Sequence, residues 1–422
     1  MATKLDRNGT SRLTMVFGLV IASGTTLICK PASGQWPQWG GPNRNFICDS
    51  KGLAAKWPEG GPKRLWTREL GDGYATIVAG DSTLFTMYRT GEEEVVAALD
   101  AKTGATKWEH KYPSATTEEM REFGAGPHST PLLIGDRLYT VGVNVVLYCL
   151  DAKTGKVIWT HDLAKELGAN VLGRGYSASP IAYKDTIIIP VGGKEGQSLA
   201  AFKQSDGAIV WKNHSFETSH SSPILIKVGG EDQLVAFMAA ELVGLNPANG
   251  ELLWSHPHKT QFGANLSSPL WTGDDLVFCS AAYDSGSRVV RLTREDGKTV
   301  PKELWYSNRM KIHHGNAVRI GDYIYGSSGD FGPAFFMGVN IKTGEVAWRH
   351  RGLAKATCLL ADGKLIILDE DGQLALATAT PEGLTVHSQC ELMKRTAWAA
   401  PTLVGKTLYV RDRKNIVALD LG

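Results

Sequence analysis

Three histidines at matching positions of a repeated element are the residues of this chain with the clearest chemical potential. His128, His220 and His314 align when a recurring Ser/Thr-Pro dipeptide, or its equivalent, is the reference point. Imidazole is the commonest side-chain ligand of transition metals, and it changes its charge near neutral pH. Three roles follow for these rings: metal binding, contact with a small ligand or peptide, and hydrogen bonding between neighbouring repeats.

Metal binding is the least supported of the three roles. No carboxylate joins the histidines at a recognisable spacing. The repeats that carry them are expected to surround a wide central funnel, which keeps three side chains from meeting at one ion. The sequence therefore predicts no metal site, and it leaves ligand contact and inter-repeat hydrogen bonding open.

The same alignment identifies further candidates three residues before the proline, or one residue earlier. Tyrosine, tryptophan and lysine occupy these positions in other repeats, and such residues suit contact with an aromatic or polar ligand. The predicted ligand-contact set at the funnel mouth is Tyr74, His128, Tyr176, His220, His313, His314, Lys355 and Trp398.

Other chemical signatures are missing from the sequence. It contains no Gly-x-Ser-x-Gly elbow, phosphate-binding glycine loop, His-Glu-x-x-His motif, EF-hand loop or Cys-x-x-Cys pair. The acidic run Asp369-Glu370-Asp371-Gly372 predicts a solvated hairpin turn rather than a cation site. The 45 basic and 43 acidic residues nearly balance, which disfavours a nucleic-acid partner. The catalytic residues, if any exist, stay unknown from the sequence.

A repeat explains how these candidates are positioned. The stretch from Ala98 to Trp108 reads Ala-Leu-Asp-Ala-Lys-Thr-Gly-Ala-Thr-Lys-Trp, and Cys149 to Trp159 repeats its Leu, Asp, Ala, Lys, Thr, Gly and Trp in register. Weaker copies follow along the chain, with Ser/Thr-Pro and Gly-Asp elements between them. Thr-Gly and Asp-Gly pairs between alternating runs are strong hairpin signals. Eight units of about four short strands predict an all-β, eight-bladed β-propeller with antiparallel blades.

The tryptophans and the chain ends complete this prediction. The last unit stops at Leu419-Asp420 without its tryptophan strand, whereas Arg64-Leu65-Trp66-Thr67 has no unit before it. We therefore expect the N- and C-terminal strands to share the last blade and close the ring. The tryptophans that end the repeats are expected to dock one blade on the next: Trp66, Trp108, Trp159, Trp211, Trp254, Trp305 and Trp348.

The repeat resembles the tryptophan-docking motif of the pyrroloquinoline-quinone (PQQ) repeat superfamily, which includes quinoprotein alcohol dehydrogenases and the propeller lipoprotein of the outer-membrane β-barrel assembly machinery. The resemblance covers residues 36–422, and its opening Trp-Pro-Gln-Trp-Gly-Gly-Pro-Asn begins at Trp36. It implies an eight-bladed propeller. The dehydrogenases' adjacent cysteines are absent here, and their calcium-ligand and catalytic-aspartate contexts match no position. A cofactor is therefore not expected, with PQQ and calcium as the alternative.

The first 34 residues have the pattern of a signal peptide. Lys4, Arg7 and Arg12 precede an apolar stretch, and Ala32-Ser33-Gly34 supplies the small residues of a cleavage site before Gln35. Ile28 before Cys29 disfavours a lipid anchor at that cysteine. The predicted organisation is a signal peptide (1–34), an N-terminal extension (35–62) and the propeller (63–422), with no transmembrane segment in the mature, periplasmic or extracellular chain.

The leading hypothesis from the sequence is a non-catalytic binding or scaffold protein. It would hold a protein, peptide or small-molecule ligand at the funnel face of the propeller. The alternative is a PQQ-dependent oxidoreductase of the alcohol or sugar dehydrogenase type with an atypical site. The sequence names neither the ligand nor the oligomeric state.

Overall fold

Eight sheets form the ring, each with four antiparallel strands as the repeats predict, and one of them gains a fifth strand that pairs in parallel. The computed structural model describes residues 35–193 and 195–422, so the predicted signal peptide and Cys29 lie outside the described residues. Within the described part, no helix has the length and apolar character needed to cross a membrane. All five cysteines described there are unpaired.

The strands follow one another blade by blade. Two strands that complete later sheets come first: β1 (Ile47–Cys48) and β2 (Lys63–Glu69). Blades 1 and 2 contain β3 (Val78–Gly80), β4 (Thr83–Thr90), β5 (Glu93–Asp100), β6 (Thr106–Pro113), β7 (Leu132–Ile134), β8 (Arg137–Val141), β9 (Val146–Asp151) and β10 (Val157–Asp162). Blades 3 and 4 contain β11 (Ile181–Tyr183), β12 (Thr186–Pro190), β13 (Leu199–Lys203), β14 (Ile209–Asn213), β15 (Ile224–Val228), β16 (Glu231–Phe237), β17 (Glu241–Leu245) and β18 (Leu252–Pro257).

The second half of the ring repeats this order. Blades 5 and 6 contain β19 (Leu270–Trp271), β20 (Leu276–Ala281), β21 (Gly286–Glu295), β22 (Lys298–Ser307), β23 (Ala317–Ile320), β24 (Tyr323–Ser328), β25 (Phe335–Asn340) and β26 (Val346–Arg351). Blades 7 and 8 contain β27 (Thr357–Ala361), β28 (Lys364–Leu368), β29 (Gln373–Thr380), β30 (Gly383–Glu391), β31 (Thr402–Val404), β32 (Thr407–Arg411) and β33 (Asn415–Asp420). Helices α1 (Glu118–Phe123) and α2 (Leu163–Leu167) lie in the crossovers from blade 1 to blade 2 and from blade 2 to blade 3.

The repeat motif is a turn whose parts each have a physical role. In blade 2, Asp151 Oδ1 accepts hydrogen bonds from the backbone N–H of Lys153 and of Thr154. Gly155 then takes a positive φ of 71°, which glycine adopts without steric cost. A Cβ on Gly155 would also lie 2.5 Å from the ring of Trp108 in blade 1. The motif therefore both reverses the chain and forms the seat for the preceding blade's tryptophan.

The seven repeat tryptophans, called the outer tryptophan ring below, join each blade to its neighbour. In six of them, indole Nε1 donates to a backbone carbonyl of the next blade at 2.7–3.1 Å. Trp254 instead donates to Gln233 Oε1 of its own blade, and Gln233 Nε2 donates to Thr299 Oγ1 of blade 5. The motif of blade 5, from Leu292 to Trp305, is longer than the equivalent stretch from Leu245 to Trp254 in blade 4, and a glutamine spans the gap.

The ring closes as predicted. Strand β2 pairs antiparallel with β33, with Trp66 opposite Ala418, so the N-terminal strand supplies the outer edge of the last blade. A largely apolar core lies between neighbouring sheets, and its largest cluster joins blades 6, 7, 8 and 1 across the closure. Closure leaves no ring edge open for further blade pairing.

Residues 36–48, called the axial segment below, pack inside the ring rather than beside it. The backbone N–H of Trp36 donates to the Ala79 carbonyl of blade 1, and the Pro37 carbonyl accepts from the backbone N–H of Leu133 of blade 2. Arg44 Nη1 donates to the Pro180 carbonyl of blade 3 at 2.9 Å. Strand β1 then pairs in parallel with β27 of blade 7. The segment thus crosses the propeller axis.

Candidate functional site

A cavity of about 430 Å³ opens on the propeller face that carries the crossovers between blades. Its wall comes mainly from residues just before the innermost strands, where the sequence analysis placed its candidates. Six of the predicted ligand-contact residues line it: Tyr74, His128, His220, His313, His314 and Trp398. We call it the crossover-face cavity. Ligand binding by these residues stays a prediction.

Four aromatic rings of the wall pack on one another in a continuous column, called the funnel stack below, with two stacked contacts and one tilted contact. The ring centroids of His128 and Tyr74 lie 5.1 Å apart, with an interplanar angle of 19°. Those of Tyr74 and Trp398 lie 5.0 Å apart, and those of Trp398 and His314 lie 4.9 Å apart. The column joins blades 2, 1, 8 and 6. Because the four rings pack against one another, the column is a preformed, rigid wall.

A chain of hydrogen bonds extends the wall from His314. The Nδ1 atoms of His314 and His313 lie 3.0 Å apart, and His313 Nε2 lies 2.6 Å from the hydroxyl of Tyr283. In a neutral pair, one Nδ1 must donate and the other accept. The Tyr283 ring also touches Phe262 and Phe331, which are 72% and 82% exposed at the mouth. The aromatic surface therefore continues from the cavity wall to its rim.

Burial keeps the four imidazoles uncharged at neutral pH. It lowers the pKa of His128 and His313 to about 4 and that of His220 to about 3. The charge of Arg174 lowers these three pKa values further. The pKa of His314 is lowered well below its ordinary value by burial and by His313 and Lys355. The wall thus offers neutral hydrogen-bonding groups.

A belt of hydroxyl groups beneath the wall holds neighbouring blades in register. The backbone N–H of Ala400 donates to Thr76 Oγ1, that of Thr76 to Thr130 Oγ1 and that of Thr130 to Ser179 Oγ. The backbone N–H of Ser179 donates to Ser222 Oγ at 2.8 Å. The belt links blades 8, 1, 2, 3 and 4. The Ser/Thr residues of the Ser/Thr-Pro element therefore form inter-blade hydrogen bonds, which was one of the roles predicted for the histidines.

One predicted residue makes such an inter-blade bond as well. His220 Nδ1 lies 2.8 Å from the hydroxyl of Ser177, in the neighbouring blade's crossover. Nε2 of His128 and of His314, in contrast, has no hydrogen-bond partner among the described residues. Of the three aligned histidines, one is thus engaged and two keep a ring nitrogen unpaired.

Two of the predicted ligand-contact residues do not line the cavity. Tyr176 is buried, and its hydroxyl donates to the Pro190 carbonyl at 2.9 Å. Lys355 faces Glu370, with Nζ 3.7 Å from a carboxylate oxygen. Both side chains therefore contact residues behind the cavity wall.

The acidic run at Asp369 forms the predicted hairpin turn between β28 and β29, but two of its acids are buried instead of solvated. Asp369 and Glu370 are 4% and 6% exposed. Asp369 Oδ1 accepts from the backbone N–H of Asp371 and of Gln373, and Glu370 Oε2 accepts from Trp398 Nε1 at 3.3 Å. The expectation was wrong because it ignored these partners. Glu370 fixes the tryptophan of the funnel stack.

Several cavity residues lie outside the repeat alignment and were missed. Trp39 of the axial segment lines the cavity, and its Nε1 donates to Ser268 Oγ at 2.9 Å. Phe123 lies at the end of α1, and its carbonyl accepts a hydrogen bond from the Tyr74 hydroxyl at 2.6 Å. Arg174 and Glu119 are the charged side chains among the lining residues. Long crossovers on one face of a rigid scaffold are a usual place for recognition, and their length is the signal that could have identified Phe123 and Arg174.

The lining residues do not fit PQQ with calcium. PQQ carries three carboxylates, whereas Arg174 is the one cationic side chain of the described lining, and it is accompanied by Glu119. Burial keeps the imidazoles neutral, so they do not supply the missing charge. Among the described residues, no group of three or more His, Cys, Asp or Glu side chains is arranged to hold a metal ion. We therefore derive no chemistry through this cofactor.

Comparisons with known proteins agree with the fold and with the repeat. The profile of the family described as outer membrane protein assembly factor BamB matches residues 91–350. A relative with that name from Yersinia pestis is 22% identical over 370 residues, which cover 83% of this chain and 76% of the relative.

Two solved structures share the architecture. BamB from Moraxella catarrhalis superposes with a TM-score of 0.59 at 15% identity, over 85% of this chain and 97% of that one. A quinohemoprotein alcohol dehydrogenase from Comamonas testosteroni gives 0.61 at 14% identity, over 92% and 81%. At these identities the two structures share the fold alone. The family profile, however, spans more than half of the sequence, and the chain therefore belongs to the family of the outer membrane protein assembly factor BamB.

Proposed function

We propose that this protein is an exported, non-catalytic binding protein that holds its ligand in the crossover-face cavity. The observation that carries the proposal is the funnel stack: four rings from four blades form a rigid, uncharged aromatic wall around one cavity. Ligand sites are typically concave, mostly apolar and preformed, with a few placed polar groups. Arg174 and Ser177 of the described lining supply such groups.

The rim supports the same function. Phe331 is 82% exposed, and Phe262 is 72% exposed although its φ of 68° lies in the left-handed region. A strained backbone that presents an exposed phenylalanine costs stability twice, through the conformation and through the apolar surface left in water. Such a cost is expected where the side chain contacts a bound molecule.

Site-specific photocrosslinking tests the proposal for a ligand of any chemical class. A photoreactive phenylalanine analogue replaces Phe331, and the protein is irradiated in its native cells and analysed by intact-mass spectrometry. We expect one discrete mass increase, which detects a small ligand and a protein partner alike. The control places the analogue at Tyr306, which is 48% exposed on the outer strand β22.

Two outcomes would contradict the proposal. Equal adducts at positions 331 and 306, or none at 331, would remove the cavity as the binding site. Reduction of a dye by the protein with PQQ, calcium and simple alcohols would remove the non-catalytic part and favour the dehydrogenase alternative.

Export is a separate part of the proposal and has its own test. The basic, apolar and small-residue pattern of residues 1–34 supports cleavage before Gln35. N-terminal sequencing of the protein from a cell-envelope fraction should begin at Gln35. A chain that retains Met1 in the cytoplasm would contradict export, and an acylated Cys29 would replace cleavage at Gln35 by a lipid anchor.

A further inference from the structure

Arg174 is an unpaired cation at the cavity. It lies in the crossover between β10 and β11, and its guanidinium carbon is 3.8 Å from the ring centroid of Phe123. Its side chain makes no hydrogen bond or ion pair with any residue in the described parts of the chain. A guanidinium held over an aromatic face keeps its N–H groups free for a planar acceptor.

The other charges near the wall have partners. Arg413 Nη2 lies 2.6 Å from Asp72 Oδ2, and Lys311 Nζ lies 3.2 Å from Asp330 Oδ2. Glu370 faces both Lys355 and Arg395. These pairs leave the cationic charge of Arg174 uncompensated at the opening.

Glu119 is the acidic side chain of the described lining. It forms no ion pair with Arg174 among the described contacts, and its Oε2 atom packs 2.1 Å from the place where a Cβ on Gly173 would stand. The charge of Arg174 is one of those that act on His128, His220 and His313, and it lowers the pKa of all three rings. Arg174 is therefore the cation that the described lining presents to a ligand.

We propose that the crossover-face cavity binds a molecule with one carboxylate and an aromatic ring, the carboxylate on Arg174 and the ring against the aromatic wall. Arg–carboxylate pairs are frequently bidentate and are among the stronger protein hydrogen bonds. The rim rings of Phe262 and Phe331 extend the apolar surface past the wall. A single unpaired cation matches one carboxylate, and this inference rests on the proposed function.

Binding of such an anion has a consequence for the imidazoles. A negative charge among them favours their protonated forms, so it raises the pKa values that burial, Arg174 and Lys355 lower. The nearby acids Asp72, Asp330 and Glu370 are each paired with a cation, and the added carboxylate is the new charge. The complex should therefore take up protons from solvent at mildly acidic pH, where the free protein holds these rings neutral.

Calorimetric titration with a matched pair of probes tests this assignment. N-acetylphenylalanine and N-acetylphenylalaninamide share the ring and differ in the carboxylate. We expect the acid to bind at least about tenfold more tightly than the amide, which corresponds to about 1.4 kcal/mol. In buffers of different ionisation enthalpy, the acid should show proton uptake at pH 5.5 and the amide none.

Two variants, one that removes a positive charge and one that removes a negative charge, distinguish an anion site from a non-specific apolar site. Arg174→Gln should abolish the preference for the acid, whereas Glu119→Gln should preserve or increase it. Arg121→Gln is the control. Arg121 lies on α1 with Glu119, donates a hydrogen bond to the Thr116 carbonyl and does not line the cavity. Equal binding of acid and amide by the unmodified protein, or an unchanged preference in Arg174→Gln, would overturn the inference.

A third probe distinguishes the source of the carboxylate. The peptide acetyl-Gly-Ser-Gly-Phe carries the same terminus on a longer chain. Binding of both acids identifies a C-terminal aromatic residue, and binding of N-acetylphenylalanine alone identifies a free aromatic acid; both outcomes support the carboxylate site. Failure of both acids together with a discrete adduct at Phe331 would refute this inference and leave the proposed function standing.

Discussion

The outer tryptophan ring and the funnel stack are both aromatic, yet they are built in different ways. Five of the seven indoles of the outer ring lie against the turn glycine of the next blade, and six donate Nε1 to the next blade. The funnel stack uses His128, Tyr74, Trp398 and His314, four residues of three types. A role that recurs at every blade boundary is repeated in the sequence, whereas a binding wall needs different side chains at equivalent positions.

Removal of an outer-ring indole should have the largest effect on stability. Trp159 is 8% exposed and packs between blades 2 and 3, so Trp159→Ala should lower the free energy of unfolding by about 3–5 kcal/mol. Trp398→Ala in the funnel stack borders a cavity and should cost clearly less. Urea unfolding followed by circular dichroism measures both; equal losses would break the distinction between scaffold and binding wall.

The turn glycines sharpen the same comparison with a matched pair. Gly155 and Gly297 have φ values of 71° and 77°. A Cβ added to Gly155 would lie 2.5 Å from an indole, whereas one added to Gly297 would meet open space. Both alanine variants incur the left-handed strain of about 1–2 kcal/mol, and Gly155→Ala adds about 1–3 kcal/mol of overpacking. If the two melting temperatures fall equally, the close contact between Gly155 and Trp108 contributes nothing to stability.

Acid should weaken the inner region selectively. His128, His220 and His313 have folded-state pKa values of about 4, 3 and 4, below the ordinary 6.5. The unfolded chain therefore binds more protons than the folded one between those values. Their contribution is complete above pH 6.5 and is lost as pH falls toward 4. Urea midpoints at pH 7 and pH 4 should differ less for His128→Gln than for the unmodified protein; an identical difference would contradict the assignment.

The smallest effect is expected from the phenol of Tyr74. Tyr74→Phe keeps the stacked ring and removes the hydrogen bond to the Phe123 carbonyl together with the longer contact to the Thr396 hydroxyl, so it should cost about 1 kcal/mol. Carboxylate affinity should fall as well, because α1 ends at Phe123 and the Phe123 ring carries Arg174. A stability loss without any change in affinity would show that the crossover is positioned independently of the funnel stack.

The comparison also explains what could be predicted from the sequence. The turn at Asp151, the glycine and the docking tryptophan recur, so the eight blades and the closure by Trp66 could be inferred from spacing alone. Alignment on the Ser/Thr-Pro element placed Tyr74, His128 and Trp398 at the mouth because every innermost strand begins there.

The rest of the site comes from segments without a repeating register. Arg174 and Phe123 belong to crossovers of unequal length, and Trp39 belongs to the axial segment. Their positions follow from tertiary contacts that no local pattern encodes. Tyr176 and Lys355 show the converse: an aligned position does not determine which way a side chain turns.

The axial segment and β2 also set the order of assembly. Both lie early in the chain and pair with its last blades, Ile47 with Leu360 and Trp66 with Ala418. Strands β1 and β2 leave the ribosome before those partners exist, so both must stay unpaired until blades 7 and 8 have been made. Contacts of such sequence separation are slow to form, and the two strand pairings that join the chain ends are therefore among the last parts of the molecule to become native.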